Sequence, residues 1–139
     1  DNGYGVKADK TKALYYYNIA SEMNNEFAMY NLGWMYQAGE NLNKDAVKAF
    51  ELYSKSAEKG HPQATFNLAN MYFLGEGTTK DIQTAYKLFL QSKIRGIKES
   101  EYYIDLISSD LSFEELNYLN EENKQLIEKK IDLPEPKNE

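Results

Sequence analysis

Residues 28–63 of this chain read AMYNLGWMYQAGENLNKDAVKAFELYSKSAEKGHPQ, and residues 64–99 read ATFNLANMYFLGEGTTKDIQTAYKLFLQSKIRGIKE. Aligned without a gap, at an offset of 36 residues, the two stretches are identical at thirteen positions. The identities include Ala28/Ala64, Leu32/Leu68, Gly39/Gly75, Asp45/Asp81, Ala49/Ala85 and Gly60/Gly96. A fixed period of this length indicates a repeat protein.

The repeat also continues before these two copies, where a half copy matches just as well. Moving back another 36 residues places Gly3, Asp9, Ala13 and Tyr17 beneath Gly39, Asp45, Ala49 and Tyr53. The chain is therefore predicted to open with the second half of an earlier repeat. After Glu99 the match decays, because Ser108 replaces the repeat's Tyr and Leu111 replaces its loop Gly.

Apolar residues within each copy follow a helical period. In the first half of the copy they fall at i, i+4, i+7 and i+8, and in the second half at i, i+4, i+7 and i+11, which gives one apolar stripe per half. Gly39 separates the halves, Asp45 is placed to cap the second helix, and Gly60 ends it. One helix pair cannot bury both of its faces, but stacked pairs can. We therefore predict an all-α fold, an α/α superhelical solenoid with an inner row of first helices and an outer row of second helices.

The C-terminal stretch resembles a cap on such an array. Ser112 and Glu115 have the spacing of a capping box, which predicts a helix beginning at Phe113. The predicted organisation is the second helix of a preceding repeat (1–24), two repeats (25–60 and 61–96), a degenerate repeat with a C-terminal capping helix (97–131) and a disordered tail (132–139).

Composition excludes several classes of protein. The 139 residues carry a formal net charge of −6 and no Cys, which argues against nucleic-acid binding, disulfides and thiolate chemistry. No apolar run is long enough to span a membrane, and the first residues contain neither Met nor a leader, so we expect a soluble chain cut from a longer protein. The compartment stays undetermined, although the lack of Asn-x-Ser/Thr acceptors slightly favours the cytoplasm.

Candidate catalytic and metal-binding residues are few. His61 is the only imidazole, and between Gly60 and Pro62 it is expected to be a surface or capping residue. The oxygen-rich run 41–45 starts like a calcium loop, but Ala46 and Leu52 occupy the positions that need Gly and Glu. We therefore predict no catalytic residues, no metal site and no cofactor. A pocket that held His61 near a Ser or Asp would revive the alternative, a hydrolase-type enzyme.

The motif residues resemble the Sel-1-like repeat family, a longer-loop relative of the tetratricopeptide repeat. The first copy contains Ala28-x-x-x-Leu32-Gly33-x-x-Tyr36-x-x-Gly39 followed by Asp45-x-x-Lys48-Ala49-x-x-x-Tyr53-x-x-x-Ala57-x-x-Gly60. The resemblance covers residues 3 to 108. It implies a non-catalytic adaptor or scaffold that binds other proteins.

Aromatic side chains are the best candidates for a partner-binding site. By analogy with tetratricopeptide arrays, residues off the apolar stripe of each first helix would line a concave groove for a peptide or helix of a partner protein. These residues are Tyr30, Trp34, Gln37, Phe66, Asn70, Phe73 and Tyr102. The alternative is that their rings pack between adjacent repeats. A second functional hypothesis, a self-assembly element that forms a homo-oligomer, also stays open.

Overall fold

The computed structural model describes residues 4–39 and 42–128, with only the backbone for residues 4–9. The described residues form helices joined by short turns and contain no strand. The helices are α1 (Tyr4–Glu22), α2 (Glu26–Ala38), α3 (Ala46–Glu58), α4 (Pro62–Leu74), α5 (Ile82–Ile94), α6 (Ser100–Asp110), α7 (Phe113–Glu122) and α8 (Lys124–Glu128). The predicted all-α class is confirmed.

The helices stack in chain order as a solenoid. Helices α2, α4 and α6 are the first helices of successive repeats, and α3, α5 and α7 follow them as second helices. Each of α2 to α5 packs against the helix before it and the helix after it. Contacts between neighbours in sequence therefore build the array, as expected of a repeat protein.

Local sequence sets where the helices begin. Asp45 accepts a hydrogen bond from the Lys48 N–H at 3.0 Å, and Asp81 accepts the equivalent bond from Thr84 at 3.1 Å. The predicted capping box is also present: the Ser112 hydroxyl accepts from the Glu115 N–H, while the Glu115 carboxylate accepts from the Ser112 N–H. Each bond satisfies a backbone group that the first helical turn leaves without a partner.

Small residues lie where the helices cross. Ala49, Ala64, Ala69 and Ala85 are fully buried. These positions let the helix backbones approach each other, and one large ring per repeat fills the remaining space. The rings are Tyr53 and Phe89, at equivalent positions of α3 and α5 and both completely buried. Burial of such a side chain contributes about 2 kcal/mol.

The two ends of the array depart from the regular repeat. Asp9 lies inside α1, whereas its counterparts Asp45 and Asp81 are helix N-caps. At the other end a turn at the buried Asn123 divides the capping segment into α7 and α8, and the Asn123 side chain donates to the Leu119 carbonyl at 2.8 Å. Leu119 anchors α7 in the core formed with α5 and α6. Residues 129–131 of the predicted capping segment and the predicted tail (132–139) lie outside the described residues.

Candidate partner-binding face

The seven predicted partner-binding residues lie on α2, α4 and α6. Because these helices are equivalent in successive repeats, residues 36 apart occupy equivalent positions: Tyr30, Phe66 and Tyr102 form one such set, and Trp34 and Asn70 belong to another. We call the surface that carries them the first-helix face. Tyr102 and Trp34 are the open members, with 66% and 46% of their surface exposed. The remaining five are half-buried.

Rings on α4 form a cluster with rings on α5 and α6. Phe66 lies 5.7 Å, between ring centroids, from both Phe89 and Tyr103. Phe73 lies 5.7 Å from Tyr103 and 6.4 Å from Phe89, and the Phe89 and Tyr103 rings stack at 4.7 Å. Phe66 and Phe73 therefore pack between the second repeat and α6, as the alternative interpretation describes. These ring contacts fix the positions of Phe66 and Phe73 on the face.

Gln37 is tied to the core of its own repeat. Its Oε1 accepts a hydrogen bond of 2.8 Å from the Tyr53 hydroxyl. Burial raises the pKa of Tyr53 far above its ordinary value of 10.0, so the hydroxyl stays protonated and remains a donor. The bond fixes the orientation of the Gln37 amide beneath the first-helix face.

His61 joins two repeats through its imidazole ring. Nδ1 accepts the Ala64 N–H at 3.1 Å and so caps α4, while the ring stacks on Tyr30 at 4.5 Å and meets Phe27 edge-on at 5.3 Å. Burial lowers the pKa of His61, and the Glu26 carboxylate opposes that shift. The predicted capping role is confirmed. No Ser or Asp side chain bonds to the imidazole among the residues that the structure describes.

Asn70 carries an unsatisfied acceptor. Its Oδ1 is buried and has no hydrogen-bond partner, although the residue as a whole is only half-buried. A buried polar atom left in this state costs about 1–3 kcal/mol. An N–H group of a ligand would reach this acceptor only after the side chain turned outward. Periodicity cannot reveal this feature, because it depends on which groups surround the amide.

One exposed ring near this face was not among the predicted residues. Phe27 is 61% exposed and lies against His61, one helical turn before Tyr30. Its counterpart 36 residues later is Gln63, so the repeat pattern does not indicate an aromatic residue at this position. Only the structure shows that Phe27 lies beside the imidazole of His61, the residue that caps α4.

The described parts of the chain offer no site for metal chemistry. Among these residues no three His, Cys, Asp or Glu side chains are grouped so that they could hold a metal ion. No described helix has the length and apolar character needed to cross a bilayer.

The sequence matches the model of a known repeat family. The Sel1 repeat model matches residues 1–25, 27–61 and 62–96. The chain belongs to the Sel1 repeat family. Sel1 repeats are in general protein-interaction modules, and proteins built from them are typically non-catalytic scaffolds. No curated protein matches the chain.

Solved Sel1 structures share the fold. A Sel1 repeat protein from Oxalobacter formigenes has a TM-score of 0.68 and 27% identity, over 70% of this chain and 40% of that protein. Cysteine-rich protein B of Helicobacter pylori has a TM-score of 0.64 and 27% identity, over 67% of this chain and 70% of that one. The c5321 protein, described as a protective antigen of uropathogenic Escherichia coli, has a TM-score of 0.74 at 24% identity, over 85% of this chain and 26% of its own length.

These proteins differ from this chain in length and in cysteine content. The chain spans well under half of the Oxalobacter and Escherichia proteins. The Helicobacter protein is cysteine-rich by name, whereas this Sel1 chain has no Cys. Chemistry that depends on cysteines is therefore not shared with it.

Proposed function

We propose that this Sel1 chain is a non-catalytic adaptor module that binds a peptide or helix of a partner protein on its first-helix face, the predicted concave side. The observation that carries the proposal is the pair of open aromatic rings, Trp34 and Tyr102, on a face whose other rings are held in place by the core. Trp and Tyr are the residues that most often supply the energy of protein interfaces.

The surroundings of Tyr102 support binding with little rearrangement. Tyr102 meets Tyr103 edge-on at 5.3 Å, and Tyr103 stacks in turn on the buried Phe89. The Tyr102 ring thus projects from a fixed base. A rigid aromatic anchor loses little conformational entropy when a ligand covers it.

Asn70 adds a polar group to the face that carries Trp34 and Tyr102. Its helix, α4, lies between α2, which carries Trp34, and α6, which carries Tyr102. If the Asn70 side chain turns outward on binding, a peptide N–H group donated to its Oδ1 would supply the partner that this atom lacks in the free protein. Relief of an unsatisfied buried acceptor favours the bound state.

Selection of peptides from a displayed random library on the full chain, followed by affinity measurements with variants, tests the proposal. Substitution of Trp34 or Tyr102 by Ala should weaken the selected peptides about 30-fold, the size of an interface hot spot. Tyr15→Ala is the matched control, because Tyr15 is 63% exposed but lies on α1, outside the first-helix face. Peptides that bind both first-helix variants as tightly as the parent chain would refute the assignment.

Self-assembly is a second candidate, favoured by α1. Ala13 and Tyr17 are only half-buried, whereas their equivalents on α3, Ala49 and Tyr53, are completely buried. Within the described residues α1 therefore has an apolar side that a further first helix could cover. Light scattering over a range of protein concentrations tests this candidate: a mass that rises with concentration and falls back with Tyr17→Glu supports it, and a constant monomer mass rejects it.

A further inference from the structure

A second apolar surface lies on the second helices, away from the first-helix face. Helices α5 and α7–α8 leave two depressions between them, with volumes of about 390 Å³ and 440 Å³. Ile82 lines the first depression, and Tyr86 and Leu90 line the second. Since these residues are spaced by four along α5, both depressions follow one stripe of that helix. We call the combined surface the α5/α7 groove.

The groove is apolar along its floor and is already formed in the free protein. From Ile82 to Leu90 it extends about 12 Å, or roughly two helical turns. Tyr86 holds the two walls together, because its hydroxyl donates to the Oδ1 of Asn120 at 2.8 Å. Tyr118 and Ile127 line the outer wall and are 61% and 39% exposed. Both are therefore available to a ligand.

The rim of the groove is acidic. Between residues 113 and 128 the chain carries five Glu and one Lys. Glu114 and Glu115 border the first depression, and Glu121 and Glu128 border the second, together with the single cation, Lys124. Glu115 is engaged in the α7 capping box, whereas Glu114 and Glu121 are exposed. An apolar floor with a negative edge along α7–α8 repels anions and attracts a ligand with apolar and cationic sides.

We propose that the α5/α7 groove binds a cationic amphipathic helix of a partner protein. Such a helix would place apolar residues at i, i+4 and i+7 against Ile82, Tyr86 and Leu90, and Lys or Arg residues beside the Glu rim. A second copy of the chain is disfavoured as the occupant, because it would bring the same acidic rim against this one. The proposal is independent of the function proposed for the first-helix face.

Titration of the isotope-labelled full chain with two synthetic peptides, followed by NMR, tests this site. One peptide is an 18-residue helix with Leu at the i, i+4, i+7 and i+11 positions and Lys on both flanks, and the other carries Glu in place of each Lys. The cationic peptide should shift the signals of Tyr118, Ile127 and their α5 neighbours with a dissociation constant below ~100 µM. Its affinity should fall about tenfold as the salt concentration rises from ~50 to ~500 mM. The acidic peptide should not bind.

Charge reversal provides the matched variants. Glu114→Lys with Glu121→Lys should reduce the affinity at least about tenfold, since both side chains are exposed and border the groove. Glu58→Lys makes the same kind of change at an exposed position at the end of α3 and should leave the affinity unchanged. Trp34→Ala should also have no effect, which separates this site from the first-helix face.

Several outcomes would overturn the proposal. One is an absence of signal shifts at the groove on addition of the cationic peptide. Another is that the acidic peptide binds as tightly as the cationic one. A third is that Glu58→Lys lowers the affinity as much as the Glu114→Lys and Glu121→Lys pair does. Groove shifts on mixing labelled with unlabelled chain would assign the surface to a second copy instead. Displacement of the signals of residues 129–139 by the peptide would assign it to the chain's own C-terminal segment.

Discussion

A Cβ atom on Gly77 would lie 2.7 Å from the carbonyl carbon of Ala46 and closer still to its oxygen. Gly77 belongs to the loop between α4 and α5, whereas Ala46 is the first residue of α3. The loop of one repeat therefore rests on the helix start of the repeat before it. This backbone contact helps to determine how closely successive repeats stack.

Gly77→Ala should lower the free energy of unfolding by about 2–5 kcal/mol. One part is the cost of a side chain at the positive φ of 71°, about 1–2 kcal/mol, and the rest is the clash with Ala46. Gly60→Ala is the control, because Gly60 also has a positive φ, 90°, but has no atom within 4 Å of an added Cβ. Urea unfolding followed by circular dichroism measures both. Equal losses in the two variants would show that the clash contributes nothing.

Gly33→Ala should also destabilise the chain, by about 1–2 kcal/mol. An added Cβ would lie 2.9 Å from the Tyr53 ring, which the hydrogen bond to Gln37 holds in place. The second repeat accommodates Ala69 at the equivalent position, opposite Phe89, which has no hydroxyl. Tyr53→Phe should therefore reduce the cost of Gly33→Ala by about 0.5–1 kcal/mol in a double-mutant cycle. Strict additivity would contradict this coupling.

Stability should depend on pH through His61. Its pKa in the folded chain is lower than the unfolded value of 6.5, so the unfolded state binds more protons as the pH falls. The contribution is complete above pH 6.5 and is lost as the pH falls through the lower folded value. Protonation also removes the Nδ1 acceptor that caps α4.

Asn at position 61 can cap a helix without titrating in this range. As the pH falls from about 7.5 to 5.5, the free energy of unfolding should therefore decrease less in His61→Asn than in the parent chain. Thermal unfolding at both pH values measures the difference. Identical pH dependence in the two chains would exclude His61 as its source.

Asn70→Leu should have opposite effects on stability and on binding. Removing the buried acceptor should raise the free energy of unfolding by about 1 kcal/mol, since the variant loses an unsatisfied polar atom. Leu106 occupies the equivalent position on α6, so the fold accepts this side chain. Peptides selected on the parent chain should bind the variant at least about fivefold more weakly. A variant that is more stable and binds equally well would remove Asn70 from the binding site.

Helix positions and caps could be predicted because their signals are local. Asp45 and Asp81 cap helices through backbone groups three residues away, and the Ser112–Glu115 box has the same reach. Exposure of the aromatic residues could not be predicted in this way. Phe66 and Tyr102 are equivalent in the repeat, yet Phe66 packs against Phe89 and Tyr103 while Tyr102 is 66% exposed. The division of the chain at residues 24, 60, 96 and 131 stays a prediction.

From its sequence alone the chain is determined to be a stack of Sel1 helix pairs, because a 36-residue period combined with helical apolar spacing allows few other ways to bury the stripes. Only the tertiary structure decided which surfaces are open. The buried Asn70 Oδ1 without a partner and the acid-rimmed α5/α7 groove both depend on side chains brought together from different helices. Such contacts arise from packing across helices, and no periodic pattern along one helix records them.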